Sequence, residues 1–516
     1  MAIRRASTWL ICLLHLALLV IPARQHPFGN FATETDFYHL FAPDALRLMD
    51  GRFPENTFQG PGYPATIAVL ARLTGADLFT IGKWLSVVCA ALGGVALYFL
   101  FRRIFGHWIG LGAQLLLIVS GEFPQFSINA TTDLFFLLLC LTTLVLFLSR
   151  RSEPLERVLL ASIFAGLAYL TRYNGLFLVA TCLAGILLLD IFQTGWRRRL
   201  GLATIFIAGF TLTVSPWLYL NARHYGSPLY NTNYLNMATQ FYPELVAGKT
   251  NQDGTRLLEE KFKSFGDVLR YNPGQALLRY PQTLWQSLRY SVTGMLLNRY
   301  VAIPGLLGLL LVLWRRRTRE VQLIILAGLI YLLLMGLNHW ETRYYLFWGV
   351  VLSGLAVETI RLTADHILRY TRRTSPGWKM LPVGLFVLLW VLSFNESRAD
   401  VLKFLAAQPW EISGARDFLV DQYDGETRRL RIVARKPHLP YLVKAEWIFF
   451  PQVRTIDEFK LWVEQNDVDF IVIGKRELKE RKELAPLGKP SKAPEWLKPV
   501  WIYDQTGLIL YRVGTF

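Results

Sequence analysis

Cysteine is nearly absent. The chain has four in 516 residues, and Cys12, Cys89, Cys140 and Cys182 all fall inside apolar stretches. That placement gives no disulfide framework and no metal-ligand spacing, and leaves them as small buried side chains. Acids are scarce as well, 38 against 55 lysines and arginines. The long apolar runs carry almost no charge at mid-length. The C-terminal part has no glycine-rich nucleotide fingerprint, so no catalysis is assigned to it. No inverted repeat of the kind that marks many transporters is visible.

Hydrophobicity fills the space these absences leave. Apolar residues make up 53% of the chain and aromatics 14%. Apolar runs of about 15 to 20 residues recur, long enough to cross a bilayer core of roughly 30 Å. The expectation is a polytopic α-helical membrane protein. The formal charge of +17 would suit a nucleic-acid partner. The basic residues sit in short clusters between apolar runs, however, which is the positive-inside pattern and excludes nucleic acid.

Arg4-Arg5 precede the run from Trp9 to Pro22, and Ile21-Pro-Ala-Arg-Gln25 lacks a small-x-small cleavage site. The run is expected as a retained helix with its N-terminus in the cytoplasm. Residues 23–79 then form an outer loop with a short amphipathic helix over 42–49. Further spans are expected over 79–101, 108–120, 133–150, 158–170, 176–192, 202–220, 301–314, 321–337, 346–360 and 381–394. Basic clusters lie at the inner ends: Arg102-Arg103, Arg150-Arg151, Arg197 to Arg199, Arg315 to Arg317, and the loop with Arg361, Arg369, Arg372, Arg373 and Lys379. The count is about eleven transmembrane helices. Residues 221–300 form a long outer segment of short helices. The transmembrane module therefore covers 1–394. Alternating helical and β-rich runs over 395–516 predict a small α/β domain outside the membrane.

Charges at a bilayer are costly to keep, and the acids of the outer loops stand out for that reason. Glu34 and Asp36 lie two residues apart, followed by Tyr38 and His39. A carboxylate in a partly buried outer pocket could serve as a general base, while the bland alternative is a cap or a surface charge. Gly60-Pro-Gly-Tyr-Pro64 reads as a rigid turn that aims the loop back over the pocket. Asp133 opens a helix, where a carboxylate is favourable without any function. Arg172 and the run Glu341-Thr-Arg343-Tyr344-Tyr345 share the outer side. Arginine there can take a phosphate by bidentate, charge-assisted bonds, or simply anchor a helix end to head groups. His26, His39, His224 and His339 are also placed outside, with no spacing that specifies a metal. Asn129-Ala-Thr131 and Asn395-Glu-Ser397 spell glycosylation acceptors of little weight.

The ordered set Thr35-Asp36-Phe37-Tyr38, Pro61-Gly-Tyr-Pro64, Leu170-Thr-Arg-Tyr-Asn-Gly175 and Glu341-Thr-Arg-Tyr344 resembles polytopic GT-C glycosyltransferases. The likeness is to the family-39-like proteins related to protein O-mannosyltransferases and the lipid A aminoarabinose transferase, and it covers about residues 1 to 360. It implies inverting transfer of a sugar from a polyprenyl-phosphate donor to a hydroxyl acceptor at the outer face. Asp36 matches the first-loop base, with Glu34, set off by Thr35, as its helper. Arg343 and Arg172 would take the donor phosphate. Asp133, Tyr38, His39, Glu341 and Tyr344 are candidate substrate-binding residues. The acceptor is a lipid, protein or glycan. No cofactor is required, with room left for a divalent metal. The setting implied is a bacterial inner membrane, with the C-terminal domain extracytoplasmic. The competing class is a transporter or flippase, in which Glu34, Asp36 and Arg343 would gate a pathway.

Overall fold

In the computed structural model, residues 2–292, 297–315, 318–338, 340–371, 378, 380–423 and 430–514 are described. His339, Arg316, Arg317, Arg372, Arg373 and Lys379 lie outside them. Two compact units form. The first comprises 1–27, 44–245 and 257–406, and the second 28–43, 246–256 and 407–516.

The first unit is helical. Each of the eleven expected apolar runs forms a helix. Among the described residues, five are long and apolar enough to cross a membrane: Ala6–Arg24, Leu78–Phe105, Pro154–Thr171, Trp196–Tyr225 and Thr342–Tyr370. Others are shorter, such as His107–Ile118 and Asp133–Phe147. At 1.5 Å per residue those two reach roughly 18 and 22 Å, less than a full hydrocarbon core. The first helix is fixed to the bundle by a polar clasp. Thr8 Oγ1 donates to Gln114 Oε1 at 2.8 Å, and Gln114 Nε2 donates back to the Thr8 carbonyl at 3.2 Å. Close helix packing rests on glycine. A Cβ at Gly305 would lie 2.6 Å from the Leu352 carbonyl oxygen, and one at Gly308 would lie 2.7 Å from that of Leu355. Small residues let membrane helices approach this closely where no hydrophobic effect drives them together.

Charge sorts the helix ends. Arg103 and Arg150 both reach Glu320, at 2.8 and 3.3 Å, while Arg199 pairs with Asp190 at 2.7 Å. Arg319 also bridges to Asp190, at 3.6 Å. One carboxylate therefore gathers the ends of Leu78–Phe105, Asp133–Phe147 and Arg319–Met335, as alternating spans with basic ends require. The four cysteines are free and buried.

Two elements depart from the sequence reading. The loop over 23–79 contains an extra helix, Gly62–Thr74, whose buried Ile67, Ala68 and Ala71 repeat at helical spacing. The last helix, expected to end at 394, runs to Ala406 because its polar second half continues the same turns without a break residue. Within 221–300 short helices form at Tyr234–Phe241, Asn251–Lys261 and Phe265–Tyr271, while Pro273–Val292 is a 20-residue helix rather than the short one expected.

The second unit is built on a five-stranded sheet: β1 Arg431–Val433, β2 Glu446–Ile448, β3 Phe470–Ile473, β4 Leu497–Tyr503 and β5 Leu508–Val513. The order is β2-β1-β3-β5-β4, with β2, β1 and β3 parallel and the β4-β5 hairpin antiparallel. β2 was not anticipated; its residues are exposed or half-buried, so no buried alternation marks it. Side chains alternate between two apolar faces. Ile432, Phe470, Val472 and Leu510 pack with helix Trp410–Gln422, and Val433, Ile471, Ile473 and Tyr511 pack with helix Ile456–Gln465. Both helices were expected from periodicity.

Candidate active site

The functional side chains anticipated in the sequence divide between the two units. In the first, the helix Pro154–Thr171 ends in an extended Arg172, which the turn Tyr173–Gly175 follows. The Arg172 guanidinium pairs with Asp133 at the start of its helix, and its Nη1 also lies 3.3 Å from Thr132 Oγ1. Arg172 is 8% exposed and Asp133 2%. The second Asp133 oxygen, Oδ2, is buried without a hydrogen-bond partner. Such an ion pair is out of water, so each charge depends on the other.

Arg172 also lies over the Tyr344 ring, 4.8 Å from its centre, and Arg343 approaches the same ring at 5.1 Å. Arg343 is 6% exposed and pairs with the half-exposed Glu341 at 2.5 Å. Two buried guanidiniums thus share one aromatic ring, Arg172 paired with Asp133 and Arg343 with Glu341. The Tyr331 hydroxyl donates to the Tyr344 carbonyl, and Asn174 reaches Met335 Sδ at 3.2 Å. The Leu170-to-Gly175 and Glu341-to-Tyr345 segments are therefore brought together, although they are far apart in the chain.

The Gly60-to-Pro64 turn packs on the first of these segments. A Cβ at Gly60 would strike the Leu170 carbonyl, and one at Gly62 would lie 2.9 Å from that oxygen. Only glycine admits this contact, two residues before Arg172.

Sequence reasoning missed two further buried or half-buried charged groups of the first unit. Lys83 is 6% exposed inside the helix Leu78–Phe105, and its Nζ donates to the His26 carbonyl at 2.7 Å. A lone lysine in an apolar run was signal enough to find it. Glu122, read only as a turn residue, hydrogen-bonds Thr342 beside Arg343; burial pushes its carboxyl up to about 7. Its neighbourhood is a tertiary fact with no trace in the local sequence.

In the second unit the first-loop acids have different surroundings. Glu34 is fully buried and accepts from Asn30 twice, from the backbone N–H at 3.0 Å and from Nδ2 at 2.8 Å. His438 Nε2 lies 2.8 Å from the Asn30 carbonyl, so it is the donor. Asp36 is partly exposed and precedes a π-helical turn, Phe37–Phe41. Such turns recur at functional sites. Lys436 Nζ donates to Thr35 Oγ1 at 3.0 Å, and its charge and that of Asp36 attract. Burial, the larger effect, lowers the Lys436 ammonium to about 8. Tyr38 is buried with its hydroxyl accepting from the Gly29 N–H at 2.8 Å, and its ring packs on His438. His39 is exposed against Trp447 and Phe449.

Among the described residues no three His, Cys, Asp or Glu side chains cluster in a way that could hold a metal ion. His26 packs on Phe79 and Phe404, and His224 stacks on Phe53. Asn129 and Thr131 are fully buried, which closes that glycosylation acceptor.

Residues 58–220 match the family model of dolichyl-phosphate-mannose-protein mannosyltransferases. No curated protein sequence matches the chain. Among solved structures, the oligosaccharyltransferase AglB from Archaeoglobus fulgidus, in complex with an inhibitory peptide and a dolichol-phosphate, is similar with a TM-score of 0.59. The identity is 13%, over 90% of this chain and 70% of that one. ArnT from Cupriavidus metallidurans, bound to undecaprenyl phosphate, is similar with a TM-score of 0.56 and 13% identity over 98% of both chains. The fold is like that of these two membrane proteins, and the chain is an integral membrane protein. The resemblance drawn from the ordered motifs is shown at that level.

Proposed function

We propose that this chain transfers a sugar from a polyprenyl-phosphate donor to a hydroxyl-bearing acceptor at the outer membrane face, with inversion. The observation that carries the reading is the pair of buried arginines, Arg172 and Arg343, on the Tyr344 ring. The lipid phosphates in the AglB and ArnT structures support it, since those folds are like this one.

Asp36 removes the proton of the acceptor hydroxyl. The oxygen attacks the anomeric carbon from the face opposite the phosphate, and the carbon–oxygen bond to phosphate breaks with its electron pair leaving on the phosphate. Arg343 stabilises that developing charge, with Arg172 held ready by Asp133. Preorganised charge of this kind is typically the largest single contribution to such catalysis. Glu34, consumed by Asn30, positions the loop that carries Asp36. Tyr38 and His39 shape the same loop, while Glu341 orients Arg343. The scheme needs no cofactor, and a divalent cation would add only further charge at the phosphate. The acceptor class stays open among lipid, protein and glycan. The membrane proposed is the bacterial inner membrane, with the sheet domain extracytoplasmic.

The test is transfer by the purified chain from a panel of polyprenyl-phosphate sugars, with Asp36→Asn and Arg343→Ala alongside. Removal of a general base should slow transfer by about 10²- to 10⁴-fold. Loss of Arg343 should cost about 10²- to 10³-fold and weaken the donor more than the acceptor. Undiminished transfer by Asp36→Asn overturns the base assignment. Movement of the lipid across the bilayer without any transfer would favour the transporter class.

A further inference from the structure

The parallel half of the sheet has its topological switch at β1. The chain leaves β1 through the helix His438–Leu442 to β2 on one side, and then returns through Ile456–Gln465 to β3 on the other. In such sheets ligands are taken in the crevice beyond the carboxyl ends of the strands on either side of the switch. The carboxyl ends of β1 and β3 here open into a cavity of about 210 Å³. At about 30 Å³ of liquid volume each, roughly seven waters would fill it.

Its rim is basic. Arg435 and Lys436 follow β1, and Lys475 and Arg476 follow β3. Two acids lie in the wall, Glu477 and Glu411. Glu477 is consumed by Arg435 at 2.8 Å and by the Gly474 N–H at 3.0 Å. Glu411 is largely buried, and burial raises its carboxyl. Arg476 is held by Glu480 at 2.7 Å, and Lys475 has no ion pair among the described residues. The floor is apolar, made by Ala434, Val472 and Leu508, with Phe31 from the first loop. Thr506 also lines the cavity, and its Oγ1 is buried without a hydrogen-bond partner. A buried hydroxyl left unpaired is rare enough to need an explanation.

We propose that this crevice binds a small organic anion, a phosphate or carboxylate head on a ring-like or short apolar body. Lys475, Lys436 and Arg476 hold the charge, Thr506 Oγ1 donates a hydrogen bond, and the apolar floor takes the body. Inorganic anions alone would leave the floor uncovered, and neutral rings would leave the cations unused. The site shares Lys436 with the loop that carries Asp36, and its binding is read apart from transfer.

The experiment titrates the full-length chain in detergent with phenyl phosphate, benzoate, inorganic phosphate and phenol by calorimetry. Saturable binding of phenyl phosphate or benzoate is expected, the tighter of the two identifying the head group, with inorganic phosphate and phenol at least about ten-fold weaker. The exposed pair Lys475→Gln with Arg476→Gln should weaken the binding by about ten-fold or more at an unchanged melting temperature. Thr506→Val should weaken it less. Arg343→Ala, which removes the proposed donor contact, should leave it intact. Absence of saturable binding by either aromatic anion overturns the proposal. So does binding that survives the double substitution and is lost in Arg343→Ala, because the membrane module would then be the binder.

Discussion

Glu34 and Asp36 are two residues apart, and their surroundings assign them different work. Glu34 has no exposure and two hydrogen bonds from Asn30, so Glu34→Gln should lower stability by about 1–3 kcal/mol. Asp36→Asn should leave the melting temperature unchanged and slow transfer by the same roughly 10²- to 10⁴-fold. Comparing the two variants by thermal melt and transfer assay separates a structural acid from a catalytic one. The Asp133–Arg172 pair makes a second case. Breaking one side of a buried ion pair costs about 3–5 kcal/mol, because the other charge is left without compensation. Asp133→Asn and Arg172→Gln should each destabilise by that order, and the double variant by less than their sum. Additive losses would show that the two side chains do not depend on each other. His438 supplies a pH test. Burial, the dominant cause, pushes its imidazole down to about 4 from an ordinary 6.5. Between those values the unfolded chain binds a proton that the folded chain does not. Stability should therefore fall as pH drops from 6.5 to 4, by up to about 3 kcal/mol from this group. In His438→Gln that part of the pH dependence should vanish.

At the scale of elements, the Gly60-to-Pro64 turn was legible as a turn, but its target was not. Gly60→Ala pushes a methyl group into the Leu170 carbonyl. The displaced strand of chain leads straight to Arg172. A shift near 1 Å in a positioning group can cost about 10²-fold in rate, so transfer should fall by that order while the helices persist. Circular dichroism with the transfer assay reads both. The first helix offers a contrast. Gln114 and Thr8 face each other inside the bundle, and Gln114→Leu should cost only about 1 kcal/mol, as interhelical hydrogen bonds in membranes typically do.

For the whole molecule, the sorting of charge decides the map. Arg103, Arg150, Arg199 and Arg319 converge on Glu320 and Asp190, and the buried arginines of the candidate site belong to other helix ends. A reporter fused at the C-terminus should be active outside the cytoplasm, and cytoplasmic activity would reverse the proposed orientation. The helical spans, the strands other than β2 and the ordered motifs could be read from the chain because each rests on local periodicity or composition. Glu122 and the cavity at β1 and β3 could not, because each depends on segments brought together from far apart.

Sequence alone determined that this is a helical membrane protein with a small α/β part, since apolar run length and strand alternation are local properties that water and lipid enforce directly. It also placed Asp36, Arg172 and Arg343 among the residues worth testing. Tertiary structure decided which charges are satisfied and which are available. Glu34 is spent on Asn30, Arg172 is locked to Asp133, and Arg172 and Arg343 meet at one tyrosine ring. The reason is physical: a charge's role depends on what solvates it, and away from water that is set by neighbours the chain order does not reveal.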